Sequence, residues 1–244
     1  MKTHSVEILD PKSGLFVSLT NGGSGAIMIG DDVIAAAPIP EHGLDKLSDG
    51  PLSLETDRGT LEVQIASEGE PIVFDGELTG RREARLAGMT GTLVDQGETI
   101  ELECSGLLHS REAPDSPTEL TRDLTMILSD GGLICVATAA PPGTTRHSDE
   151  EAVAAISHPR GYIEFEEVLL STEYDGAGRQ VRATLELWPA SDEIAILHGA
   201  GSVISGCTAR VGDRQINTAL FRWSLDGHLG LGRYEISAAR KQAG

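Results

Sequence analysis

Three segments hold residues whose types and spacing suit them to chemistry. The first is "ELTRDLTMILS" (119–129). In an extended chain successive side chains point to opposite faces. Leu120, Arg122, Leu124, Met126 and Leu128 then share one side, and Thr121, Asp123 and Thr125 the other. An arginine among leucines must find a carboxylate or carbonyl partner if buried, because an unpaired buried charge is strongly unfavourable. Arg122 is thus a candidate for orienting a substrate carbonyl. The competing reading is a structural pair or a side chain that snorkels to a rim. Met126 and Asp123 are the candidate substrate contacts beside it.

The second segment is "HPRGYIEFEEVLL" (158–170). Ile163 and Phe165 share one face, and Tyr162, Glu164 and Glu166 the other. Beyond Glu167 the alternation loses phase, so a bulge is expected near Glu166-Glu167, a feature that re-aims side chains and recurs beside active sites. Facing a cavity, Tyr162, Glu164 and Glu166 would supply a desolvated general acid able to protonate an alkene or polarise a carbonyl. The competing reading is a solvated polar face.

The third is "TALFRWSLDGHLGLGRYEI" (218–236). Asp226-Gly227 between alternating arms predicts a two-residue hairpin turn of type I′. Leu225 then faces His228, Trp223 faces Gly230, Phe221 faces Gly232, and Ala219 faces Tyr234. Glycine leaves strand backbone uncovered, and a cross-strand aromatic can lie over it. Phe221, Trp223 and Tyr234 are either core or the aromatic wall of a ligand cavity.

Other chemistries lack their residues. The seven histidines show neither HxH nor HExxH spacing, so no metal site is expected. His109 and His158 stand at strand ends and are weaker catalytic candidates. Cys104, Cys135 and Cys207 are odd in number and have no CxxC spacing, which argues against a disulfide framework. "TNGGSGAIMIGDD" has neither the lysine of a phosphate loop nor a following helix, and GxSxG is absent.

The elements that must position these residues are strands. Two-residue alternation recurs from "LFVSL" to the final hairpin, punctuated by Asn21-Gly22-Gly23, Asp95-Gln96-Gly97, Asp130-Gly131-Gly132, Asp175-Gly176 and Gly212-Asp213. Runs this close pair as antiparallel hairpins, because parallel crossovers need helices the sequence lacks. One short helix is expected near 148–156, where Ser148 and Glu151 form a capping box. The fold class is therefore all-β and antiparallel: two lipocalin-like barrels, or one large barrel or sandwich. Polar, proline-bearing "SREAPDSPTE" suggests an N-terminal β-barrel domain over 1–115 and a C-terminal one over 116–244.

The stretch 218–236, with its aromatic strand, Asp-Gly turn, Gly-x-Gly and aromatic-Glu pair, resembles the ending of a bacterial family of two-barrel, lipocalin-like proteins. That family is similar to the carotenoid hydratases (hydroxyneurosporene synthases) and to natural-product Diels–Alder cyclases. Where such proteins carry Arg-Asp-His-Ser-Trp-Gly, this chain has Arg122-Asp123 followed by Leu124-Thr125-Met126. The resemblance implies a cavity for an elongated or polycyclic apolar molecule, a polyketide or terpenoid. It also implies cyclase, hydratase or isomerase chemistry that needs no cofactor. The alternative is a non-catalytic binder or carrier on the same scaffold.

Composition narrows the partners. The net charge of −19 repels phosphate backbones and anionic membranes, so no nucleic-acid or membrane partner is expected. The start "MKTHSVEILDPKSG" lacks a signal-peptide pattern, and no run of 18 apolar residues occurs, which points to a cytoplasmic protein. A hydrophobic small molecule is the expected partner; a homodimer is left open.

Overall fold

The computed structural model describes residues 2–21, 24–30, 32–38, 49–56, 58–114, 116–144, 149–158, 161–191 and 194–239. The chain divides into two compact units, one of Met1–Pro71 with Glu83–Arg111, the other of Ile72–Arg82 with Glu112–Gly244.

The first unit is built on β1 (Lys2–Asp10), β2 (Leu15–Thr20), β3 (Ser24–Ile29), β4 (Asp32–Pro38), β5 (Gly50–Thr56), β6 (Gly59–Phe74), β7 (Arg82–Asp95) and β8 (Glu98–Glu112). They form one eight-stranded sheet in the order β4-β3-β2-β1-β8-β7-β6-β5. Alternating residues such as Val6, Ile8, Val17, Leu61, Val63 and Met89 bury its apolar side. Gln96 and Gly97 both take positive φ, as a type I′ turn between β7 and β8 demands.

The second unit contains β9 (Leu120–Leu128), β10 (Leu133–Ala140), β11 (Glu151–His158), β12 (Gly161–Tyr174), β13 (Gln180–Pro189), β14 (Leu197–Val211), β15 (Arg214–Leu225) and β16 (His228–Ala239). These close into an eight-stranded antiparallel barrel, with β16 returning to pair with β9. Closing eight strands requires strong coiling, which bulges provide. They occur in β12 between Phe165 and Glu167 and between Glu173 and Tyr174, and in β14 between Val203 and Ser205. The first explains the lost alternation of the sequence. Phe165 faces the interior ahead of Glu166, and Val168 and Leu170 face it after.

The expected helix is not formed over 151–156; Ser148 lies outside the described residues, and among those described no α-helix occurs. Glu151–His158 is instead strand β11, paired along seven residues with β10. Ala152, Ala154 and Ile156 alternate into the barrel core, so burial outweighs a modest local helix preference. Glu151 still caps backbone donors, but those of another segment. Its carboxylate accepts from the N–H groups of Glu77, Leu78 and Thr79 at 2.7, 2.8 and 2.6 Å.

The 218–236 hairpin has the expected register, with Trp223 opposite Gly230 and Phe221 opposite Gly232. Asp226 (φ 45°) and Gly227 (φ 88°) make its turn. The aromatics nevertheless do not rest on those glycines. A Cβ on Gly201 of β14 would lie 2.6 Å from the Trp223 ring, so Trp223 covers the strand on its other side. At Gly232 the β9 backbone closes in, with Thr125 O 1.7 Å from where a Cβ would stand.

Candidate active site

The barrel interior is apolar for most of its length. Leu124, Met126, Ile134, Val136, Leu185, Phe221 and Trp223 project into it, each from the inward half of an alternating strand. Phe221 stacks on Trp223 at 5.5 Å between ring centroids, and Tyr234 meets both edge-on at 5.4 and 6.4 Å. The three rings are at most 1% exposed, so side chains fill the space around them. Rings this size each contribute about 4–6 kcal/mol of burial before conformational entropy is subtracted. The indole Nε1 of Trp223 is buried without a hydrogen-bond partner.

Toward the end where β9 begins and β12 finishes, the interior turns polar. Arg122, 2% exposed, projects inward between Thr138 and Ile236. Its Nε donates to Thr138 Oγ1 at 3.1 Å and its Nη1 to the Leu170 carbonyl at 2.7 Å. Its Nη2 is ion-paired with Glu150. The Tyr234 hydroxyl shares a hydrogen bond with Thr172. Burial, opposed by the Arg122 guanidinium and the Thr172 hydroxyl, pushes the Tyr234 phenol up to about 12, so it is a neutral donor at ordinary pH. Burial alone would lower Arg122; Tyr234 and Glu150 outweigh it and hold the guanidinium above its usual value. Tyr174, 48% exposed, couples to both at the outer end of this network.

The arrangement is a cation, a carboxylate and a neutral phenol set against an aromatic, water-poor interior. Such groups hydrogen-bond a carbonyl or hydroxyl oxygen, stabilise negative charge developing on it, and carry a proton.

Of the residues singled out in the sequence, Arg122, Met126, Phe221, Trp223 and Tyr234 come together inside this barrel. Asp123 points to the opposite face of β9 and is ion-paired with Arg82. Tyr162 and Glu164 share an open outer depression of about 420 Å³ with Pro189 and Ile194. There the Tyr162 hydroxyl donates to the Val73 carbonyl at 2.9 Å, and burial and then Glu164 push it up to about 12. Glu166 is the exposed residue of the β12 bulge. None of these four reaches Arg122. His158 Nε2 and His228 Nδ1 each lie 3.2 Å from Asp130, at the opposite barrel end. His109 Nε2 lies 3.0 Å from the fully buried Glu7.

Glu150, Thr138 and Thr172 are the members that sequence reasoning missed. Thr138 left a signal, since it is the one hydroxyl in the apolar run "LICVATAA". Glu150 was masked by its neighbours, which read as the first turn of a helix.

Neither a protein-family model nor a curated protein matches this sequence. Solved structures do resemble it. A crystallised AttH-type protein from Nitrosomonas europaea aligns at 13% identity over 98% of this chain and 92% of its own, with a TM-score of 0.68. Kievitone hydratase from Nectria haematococca aligns at 11% identity over 99% and 89%, TM-score 0.57. CghA aligns at 11% identity over 100% and 88%, TM-score 0.56. At such identities the property held in common is architecture: this chain has the fold of a group of proteins that includes a hydratase, as the resemblance in residues 218–236 implied.

Proposed function

We propose that this protein is a cofactor-independent hydratase, cyclase or isomerase acting on an apolar natural-product-type small molecule, a polyketide or terpenoid. One observation carries the reading: Arg122, Glu150 and Tyr234 are sunk together in an aromatic-lined barrel, where a full charge is costly to keep unless it has a task. The fold in common with kievitone hydratase supports it. Arg122 and Tyr234 hold a carbonyl or hydroxyl oxygen of the substrate and stabilise charge developing there. Glu150, only partly buried, is the group that moves a proton. The packed apolar interior behind these groups keeps the site poor in water and strengthens their electrostatic hold on the substrate.

A second reading, a non-catalytic carrier, is favoured by the engagement of Nε, Nη1 and Nη2 of Arg122 by Thr138, Leu170 and Glu150. One experiment separates the two. The protein is incubated with a panel of prenylated phenols and linear polyene carbonyl compounds, and mass spectrometry and chromatography follow each compound. The enzyme reading expects a hydrated or isomeric product. It also expects kcat/KM to fall about 100-fold in Arg122→Met and Glu150→Gln, and about 10-fold in Tyr234→Phe, with melting curves showing folded variants. Recovery of every bound compound unchanged supports the carrier. Product formation unaffected by all three substitutions removes the site.

A further inference from the structure

The barrel wall parts between β13 and β14. These strands pair only from Arg182 with Ser202 to Leu187 with Leu197. β14 runs on to Val211, held on its other side by β15. The parting falls at the β14 bulge, where Val203 faces inward and Ser205, two residues on, outward. A cavity of about 220 Å³ occupies the gap, lined by Gln180, Val181, Val203, Ser205, Cys207 and Ala219. At its rim Asp175 and Arg179 are ion-paired at 2.9 Å.

Two polar side chains in this lining are more than nine-tenths buried, Gln180 at 2% exposure and Ser205 at 8%. The amide of Gln180 is fixed in orientation. Its Nε2 donates to the carbonyls of Asn217 at 3.0 Å and Tyr234 at 2.8 Å, an arrangement the oxygen cannot reproduce. Oε1 is therefore the end left over, and it is buried with no hydrogen-bond partner; Ser205 Oγ is in the same state. A buried oxygen with unmet hydrogen-bonding capacity costs stability until a donor reaches it. Val181, Val203 and Ala219 offer only apolar contact. The site's one ion pair is self-neutralised, so nothing in it recruits a charged molecule.

We propose that the gap between β13 and β14 is a binding site for a small neutral ligand with an apolar body and a hydroxyl group, the hydroxyl donating to Gln180 Oε1 or Ser205 Oγ. The proposal does not rest on the Arg122 network, which Gln180 meets at the Tyr234 backbone carbonyl. Cys207, whose thiol burial and then Glu235 push up to about 11, stays protonated beside it and adds no charge.

The test uses the full chain and two probes of matched shape, phenol and toluene, followed by amide chemical shifts. Phenol is expected to shift residues 180–181, 203–207 and 217–219 saturably, and to bind about fivefold more tightly than toluene, the margin of one hydrogen bond. Ser205→Val, which removes the hydroxyl and fills the gap, is expected to weaken phenol at least tenfold. Ser205→Ala, the milder change, is expected to narrow the phenol–toluene difference. Equal affinity for both probes, absence of saturable shifts in the wild-type chain, or unchanged phenol binding in the folded Ser205→Val variant overturns the proposal. Shifts confined to Glu150, Tyr174 and Tyr234 also overturn it, while leaving the function proposed for the Arg122 network standing.

Discussion

Tyr234 is where the barrel's apolar and polar contents meet. Its ring packs against Phe221 and Trp223, and its hydroxyl joins Thr172 near Arg122. Its titration has a consequence for stability. In the unfolded chain the phenol ionises near its usual 10.0, whereas in the barrel burial holds it to about 12. Below the unfolded value both states are neutral and nothing is lost. As pH rises from about 10 to about 12 the unfolded chain releases its proton first, so stability falls, by about 3 kcal/mol in total from this group. Cys104 and Cys207, both pushed up to about 11, act in the same direction from lower pH. Urea titrations at pH about 9 and about 11.5 are expected to show this drop in the wild type and a smaller one in Tyr234→Phe. An equal drop in both would mean that the phenol ionises normally. At this scale the sequence was informative about Arg122, because a cation in an apolar alternation must be resolved somehow. It was silent on Glu150, whose partner lies 28 residues away and is reached only when β9, β10 and β11 stand side by side.

Among the elements, β14 has the most to accommodate. It bulges, parts from β13, and passes beneath Trp223. Gly201 makes that passage possible: the nearest Trp223 ring atoms would lie 2.6–2.7 Å from a Cβ there, closer than real Cβ contacts. Gly201→Ala is therefore expected to push the indole aside, costing about 2 kcal/mol and altering tryptophan fluorescence. A native emission spectrum with unchanged stability would show that the ring has room to move. The hairpin of β15 and β16 was legible residue by residue, since a two-residue turn fixes the register. Its glycines were not, because what covers a glycine depends on both neighbouring strands, and β14 precedes the hairpin by a separate turn. The β12 bulge was foreshadowed by lost alternation at Glu166-Glu167. The strand β11 was not foreshadowed, because Ser148 and Glu151 gave a local helix signal that pairing with β10 and β12 overrode.

For the whole molecule, 38 acidic against 19 basic residues leave a net charge of −19. Self-repulsion at this charge opposes compactness and is screened by salt over roughly 8 Å at physiological ionic strength. Raising NaCl from about 10 mM to about 150 mM is expected to lift Tm by about 2–4 °C, which calorimetry would read. A fall would indicate that specific pairs such as Arg58–Asp95 outweigh the general repulsion.

By itself the sequence determined that this chain is all-β and antiparallel, where its hairpins turn, and which side chains of β9, β15 and β16 share a face. Those properties follow from two-residue periodicity and from turn residues that tolerate positive φ, both local. The closure of β16 onto β9, the meeting of Arg122 with Glu150 and Leu170, and the gap beside Gln180 were decided only by tertiary structure. Each joins strands far apart in the chain. A strand pattern specifies which faces are apolar but not which strand lies alongside, and a charge inside a barrel is matched by whichever neighbour the closure brings within reach.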